Sequence, residues 1–165
     1  MEPERRFAEL RYDAERGLIE GVAMRYGDRA RIGPFSEEFR AGALTFNDII
    51  VNLQHDRSKP VARTGAGLEL RDSATELRVA ITLPDTVHAR EARELVAARI
   101  MRGFSVEFRA ETDRWEGEHR IVERASLLGL AIVDRPAYSD STIAERMQHS
   151  RDLARPQCST RRYWF

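Results

Sequence analysis

Leu127–Val133 (Leu-Leu-Gly-Leu-Ala-Ile-Val) runs without a polar side chain and is bounded by Asp134-Arg135-Pro136. It lacks the apolar–polar alternation of a strand with one wet face, so it predicts a central strand buried on both sides. Short strand-like runs precede it. Gly17–Tyr26 lies ahead of the turn signals Gly27-Asp28 and Gly33-Pro34, and Leu44–Leu53 carries Ile49-Ile50-Val51 into the polar stretch 52–60. Val61–Arg63, Gly67–Arg71 and Glu76–Leu83 read as three more strands, with turn material between them. Together they point to a meander or a small antiparallel barrel.

Helical signals are fewer. Pro84-Asp85 opens a segment to about Arg102 with Asp85 or Thr86 as cap, Ala89, Ala92, Val96 and Ile100 at helical spacing, Leu95 widening the stripe, and Gly103 as the stop. Ser36–Ala41 predicts a short helix with Ser36 as cap and Glu37-Glu38 at the positive end of its dipole. Ser139–Met147 predicts a last one, with Thr142 and Glu145 spaced as a capping box. The expected fold is α+β, mainly β: a small antiparallel β-barrel flanked by helices. One domain spans 17–147, preceded by a flexible segment 1–16 and followed by a disordered tail 148–165. The alternative for the tail, which ends Tyr163-Trp164-Phe165, is a docking peptide.

Acidic and basic residues balance at 27 each, so no global attraction to nucleic acid or an anionic membrane is expected. Cys158 is the only cysteine, which excludes a disulfide framework and a thiolate zinc site. Met1–Tyr12 is charged throughout, unlike a secretory signal, and no segment is long and apolar enough to cross a bilayer. A cytosolic protein is the expectation.

Chemistry concentrates on Gly103-Phe104-Ser105-Val106-Glu107-Phe108. On a strand, Phe104, Val106 and Phe108 face one side while Ser105, Glu107 and Arg109 face the other. A hydroxyl there becomes a nucleophile only if a base reaches it; otherwise Ser105 is a polar residue on a solvated sheet face. Histidine is the natural base, because its pKa lies near neutrality. His88 falls in the long helix, His119 in a polar hairpin region and His149 in the tail. His55 stands at the exit of an apolar strand, beside turn residues. A Ser105–Lys59 dyad is the competing arrangement, but Lys59 sits in the polar run Asp-Arg-Ser-Lys-Pro. His55-Asp56 has no partner at a metal-ligand spacing, and no glycine-rich phosphate loop is present, so neither metal nor cofactor is expected.

Several pieces, in order, resemble the prohead (capsid maturation) serine protease family of tailed bacteriophages, whose fold is similar to herpesvirus assemblin. They are Phe35-Ser36-Glu37-Glu38-Phe39 with Gly42-Ala43-Leu44, Leu53-Gln54-His55-Asp56, Gly67-Leu68, Gly103–Phe108, and Leu127–Tyr138. The resemblance implies a serine endopeptidase with His55 as general base and Ser105 as nucleophile. It implies as substrates the major capsid protein precursor and scaffold, cleaved inside the assembling procapsid in the bacterial cytoplasm, in a phage, a prophage or a gene transfer agent. Self-association is left open. The family's third catalytic position is usually an acid where this chain has Gly129, and Glu107 stands where the family commonly has glycine. Glu107, two residues along the strand from Ser105 and so roughly 7 Å away, is one substitute for the missing acid. Asp134, at the end of the last strand, is the other. Gly129 is also the best argument for the alternative function, a catalytically silent scaffold or binding module of the same fold.

Overall fold

The computed structural model describes residues 10–134 and the backbone of residues 162–164. Its spine is one long hairpin, β10 (Gly103–Glu116) and β11 (His119–Val133), paired antiparallel from Gly103↔Val133 to Glu116↔His119. The predicted central strand is thus the second half of β11. Its other flank takes three short parallel strands in succession: β4 (Phe35–Phe39), β5 (Leu44–Thr45) and β6 (Ile50–Leu53). β3 (Ala30–Ile32) pairs with β4. From β6 the sheet continues through β7 (Asp56–Thr64), β8 (Gly67–Asp72), β9 (Glu76–Thr82) and β2 (Leu18–Arg25) to β1 (Leu10–Asp13). β12 (Arg162–Trp164) lies on the opposite side, against β10.

The mainly β expectation holds, whereas the closed antiparallel barrel does not. The sheet is mixed and open, with β1 and β12 at its ends. β2 and β10 approach each other across the core without forming a ladder. Leu10–Asp13 pairs with β2, so part of the lead-in expected to be flexible is a strand.

Where a helix was predicted over 36–41, Ala41 lies in a turn and residues 36–39 belong to strand β4. Its cap-like serine and paired glutamates satisfy a local helix rule, but β4 lies parallel to β11 and turns Glu37 and Phe39 to the buried side. Among the described residues there is one helix, α1 (Val87–Ala97). Thr86 caps it, its Oγ1 accepting from Ala89 N at 3.3 Å. Ala89, Ala92 and Val96 are buried as the spacing predicts. The helix ends before Arg102, because Arg99 takes a left-handed φ of 58° and the amides of Ile100 and Met101 both turn back to Leu95 O. That turn buries Met101 and exposes Ile100, which does not extend the stripe. The predicted helix at 139–147 lies outside the described residues, as does the tail except for β12.

One core gathers these elements, with Ile19, Val51, Leu77, Ile81, Phe108, Leu130 and Ile132 fully buried. Gly67 is required where β8 begins. A Cβ there would stand 2.4 Å from Thr82 O, and its φ is 87°.

Candidate active site

Phe104, Val106 and Phe108 anchor the first half of β10 in the core, with the Phe108 ring 4.7 Å from Phe39 in an edge-on contact. Alternation then sets Ser105 and Glu107 on the opposite face of the strand. That face is not solvated: Ser105 is 2 % exposed and Glu107 4 %. Immediately after Glu107 the β10–β11 register shifts, with Glu107 opposite Gly129 and Phe108 opposite Leu127. This bulge alters the strand's local course beside Ser105.

His55 arrives from the other side of β11. β6 and β7 form a hairpin in which Leu53 pairs with Asp56, leaving Gln54 and His55 as a two-residue loop. Both have positive φ, 51° and 60°. Short hairpin turns of that kind favour Asn-Gly because the left-handed region is costly for a residue with a Cβ, by about 1–2 kcal/mol each. Here the position is given to a histidine, and its Nε2 lies 2.9 Å from Ser105 Oγ. Ser105 is opposite Ala131 and Ala131 is opposite Asn52, so the three strands supply a transverse row beside the loop.

The loop is tied down on several sides. Gln54 N donates to Ile132 O at 3.0 Å. Asp56 Oδ1 accepts from Ser58 N and Ser58 Oγ at 2.9 and 2.7 Å, and these bonds hold its carboxyl below the ordinary range. Lys59 Nζ reaches Glu91 Oε1 on α1 at 2.9 Å. Lys59 is thereby engaged with the helix, and its contact gives no support to the Ser105–Lys59 dyad.

The two candidate acids differ sharply. Glu107 Oε1 accepts from Arg57 Nη2 at 3.4 Å, two residues beyond His55. Its Oε2 lies 3.3 Å from where a Cβ on Gly129 would stand. Asp134 is exposed just past the end of β11, three residues beyond Ala131. Arg57 and Asn52 were not singled out in the sequence. Asn52 Oδ1 is buried with no hydrogen-bond partner among the described residues. Arg57 escaped notice because β7 carries extra residues between Asp56 and Pro60, which breaks the strand's alternation.

A second serine–histidine contact lies at the far end of β11. Ser36 Oγ is 2.8 Å from His119 Nδ1, and Glu38 Oε2 is 3.1 Å from His119 Nε2. Beside it, Arg120 Nη1 donates to Glu37 Oε2 at 2.8 Å in full burial, and Arg120 also reaches Asp113 at 2.6 Å. Desolvation pushes the Glu37 carboxyl up to about 7, against the pull of Arg120.

Residues 5–154 match the family model described as caudovirus prohead serine protease. No match was found among curated proteins or solved structures.

Proposed function

Because the chain belongs to the caudovirus prohead serine protease family, we propose that it is an endopeptidase of head maturation with Ser105 as nucleophile and His55 as general base. The observation that carries this reading is the 2.9 Å contact between Ser105 Oγ and His55 Nε2, across fifty residues of sequence. His55 takes the hydroxyl proton as Ser105 Oγ bonds to the scissile carbonyl carbon, and returns it to the leaving amine. An acyl-enzyme remains. Water, deprotonated by the same imidazole, then releases the new carboxyl end and regenerates Ser105.

Glu107 is the acid of this proposal. The chain holds glutamate and glycine at facing positions, Glu107↔Gly129, in the reverse of the arrangement its relatives' pattern leads one to expect. With no side chain at 129, the Glu107 carboxylate comes to 3.3 Å from where a Cβ would stand, closer than such a Cβ would ordinarily allow. A carboxylate entering from β10 in place of β11 would favour the imidazolium formed on His55 and hold Arg57 beside it. On this reading the absence of an acid at 129 no longer argues for a silent scaffold module. Asp134, exposed beyond the strand end, has less to recommend it.

The proposed substrates are the major capsid protein precursor, scaffold, or both, met within the assembling procapsid. Confinement there raises effective concentration and limits damage to other proteins. Labelling with a serine-directed phosphonate tests nucleophile and base together. Modification at Ser105 that falls by at least about a hundredfold in a His55→Ala variant is expected. Labelling elsewhere, or at an unchanged rate without His55, would refute the proposal.

A further inference from the structure

Between Leu53↔Asp56 and Asn52↔Pro60 the β6–β7 ladder leaves Arg57, Ser58 and Lys59 with no residue opposite them. The stretch just after His55 is therefore a bulge, and the pairing that holds the rest of β7 does not set its course. Among the described residues, two side-chain contacts carry it to other elements: Arg57 reaches Glu107 at 3.4 Å and Lys59 reaches Glu91 at 2.9 Å. The second is the closer, and it ends on a helix.

Glu91 stands on a fixed post. Ala89 and Ala92 on either side of it are fully buried, and Thr86 caps the same helix. Its two carboxylate oxygens are divided: Oε1 accepts from Lys59 Nζ, while Oε2 lies 3.4 Å from His88 Nδ1, three residues back on the same helix face. Hydrogen bonds from Lys59 and His88 hold this carboxyl below its ordinary range, so it is charged at neutral pH.

We propose that Glu91 is a positioning residue for His55: by holding Lys59 against α1 it fixes the bulge behind the imidazole and keeps Nε2 within reach of Ser105. The inference deepens the proposed function and rests on it. Lys59 and Glu91 are both partly exposed, so their ion pair adds little to global stability. Its effect falls on where the loop sits. Gln54 and His55 occupy left-handed backbone that a released loop would tend to leave, and misplacing a reacting group by about 1 Å can cost up to about a hundredfold in rate.

The test compares the full chain with Glu91→Gln, Lys59→Arg, the single reversals Glu91→Lys and Lys59→Glu, and the two reversals combined. Phosphonate labelling of Ser105 should slow about fivefold to twentyfold in Glu91→Gln and further in each single reversal. Lys59→Arg and the combined reversal should stay within about threefold of the parent. Because Lys59 is the only lysine of the chain, acetylating the parent should reproduce the slowing and have no such effect on Lys59→Arg. Tm should move by less than about 3 °C throughout. Hydrogen exchange of the Gln54 amide, which donates to Ile132 O, should quicken about fivefold in Glu91→Gln. A pair that served stability alone would lower Tm and leave labelling and Gln54 exchange at the parent's rates. That result, or no recovery in the combined reversal, would overturn the inference. The exchange measurement needs no reactive serine. Faster Gln54 exchange in Glu91→Gln, with no labelling of Ser105 even in the parent, would remove the peptidase and leave Glu91 as the holder of the loop, whereas parental labelling in every variant would remove the clamp and leave the peptidase.

Discussion

Among the described residues there are two serine–histidine contacts of nearly equal length, and they are made in different ways. Ser36 and His119 are facing residues on adjacent parallel strands, so their 2.8 Å contact follows from register alone. Ser105 and His55 are not register partners. Their contact needs a two-residue loop with both backbones left-handed, held by a bond to β11 and a clamp to α1. In the first pair Glu38 closes on the ring's other nitrogen amid a dense charge cluster that includes Arg120, Glu37 and Asp113. In the second, Glu107 shares the strand face of Ser105 and accepts from Arg57. Distance between a hydroxyl and an imidazole therefore says little; what the backbone does to make the distance says more.

The largest effect that tests this contrast is on cleavage. Ser105→Ala should lower kcat by roughly 10⁴-fold or more, whereas Ser36→Ala should leave kcat within about threefold. Comparable losses in both would erase the distinction, and a cleavage assay on capsid precursor measures it.

Next comes the acid. Glu107→Gln should reduce kcat by about 10²–10⁴-fold with little change in thermal stability, since the shape is kept. Gly129→Glu alone would bring its Cβ within 3.3 Å of Glu107 Oε2 and should impair the protein. The paired exchange Glu107→Gly with Gly129→Glu should recover at least about tenfold of the activity lost in Glu107→Gly. No recovery, with the fold intact by circular dichroism, would remove Glu107 from the mechanism.

At the Ser36–His119 end the effect should be on stability. Glu37 has an ordinary pKa of 4.5 and about 7 in the folded chain, so the folded state holds its proton more tightly. Its contribution is therefore fully present below about pH 4.5 and is lost as pH rises through about 7. Melting curves should show a Tm that falls by a few degrees across that window more steeply in the parent than in Glu37→Gln. Parallel curves would contradict the assignment.

The smallest effect belongs to the loop itself. Gln54→Gly relieves one left-handed side chain and should raise stability by up to about 1 kcal/mol in denaturant unfolding, with phosphonate labelling of Ser105 changed less than about threefold. Destabilisation would mean that the loop is not strained as described.

Much of this was visible in the residues. The apolar run 127–133 reads as a buried strand because burial on both faces erases alternation, and β11 bears that out. His55 and Ser105 stood out by position, at a strand exit and on an anchored strand. The helix at 36–41 failed because local capping chemistry was outweighed by pairing to β11, a partner eighty residues away. The barrel failed because short segments carry no information on whether the last ladder closes. The close approach of the Glu107 carboxylate to the bare backbone of Gly129 was also out of reach, since it exists only through a facing register, and Glu107 alone in sequence is a surface charge by default.

A comparison of relatives made column by column, asking only for an acid where this chain has Gly129, would file it among dead enzymes. The facing column holds a carboxylate 3.3 Å from where a Cβ on Gly129 would stand. On the proposed mechanism, inventories of inactive homologues that ignore which columns touch across a sheet would, for the same reason, discard working members.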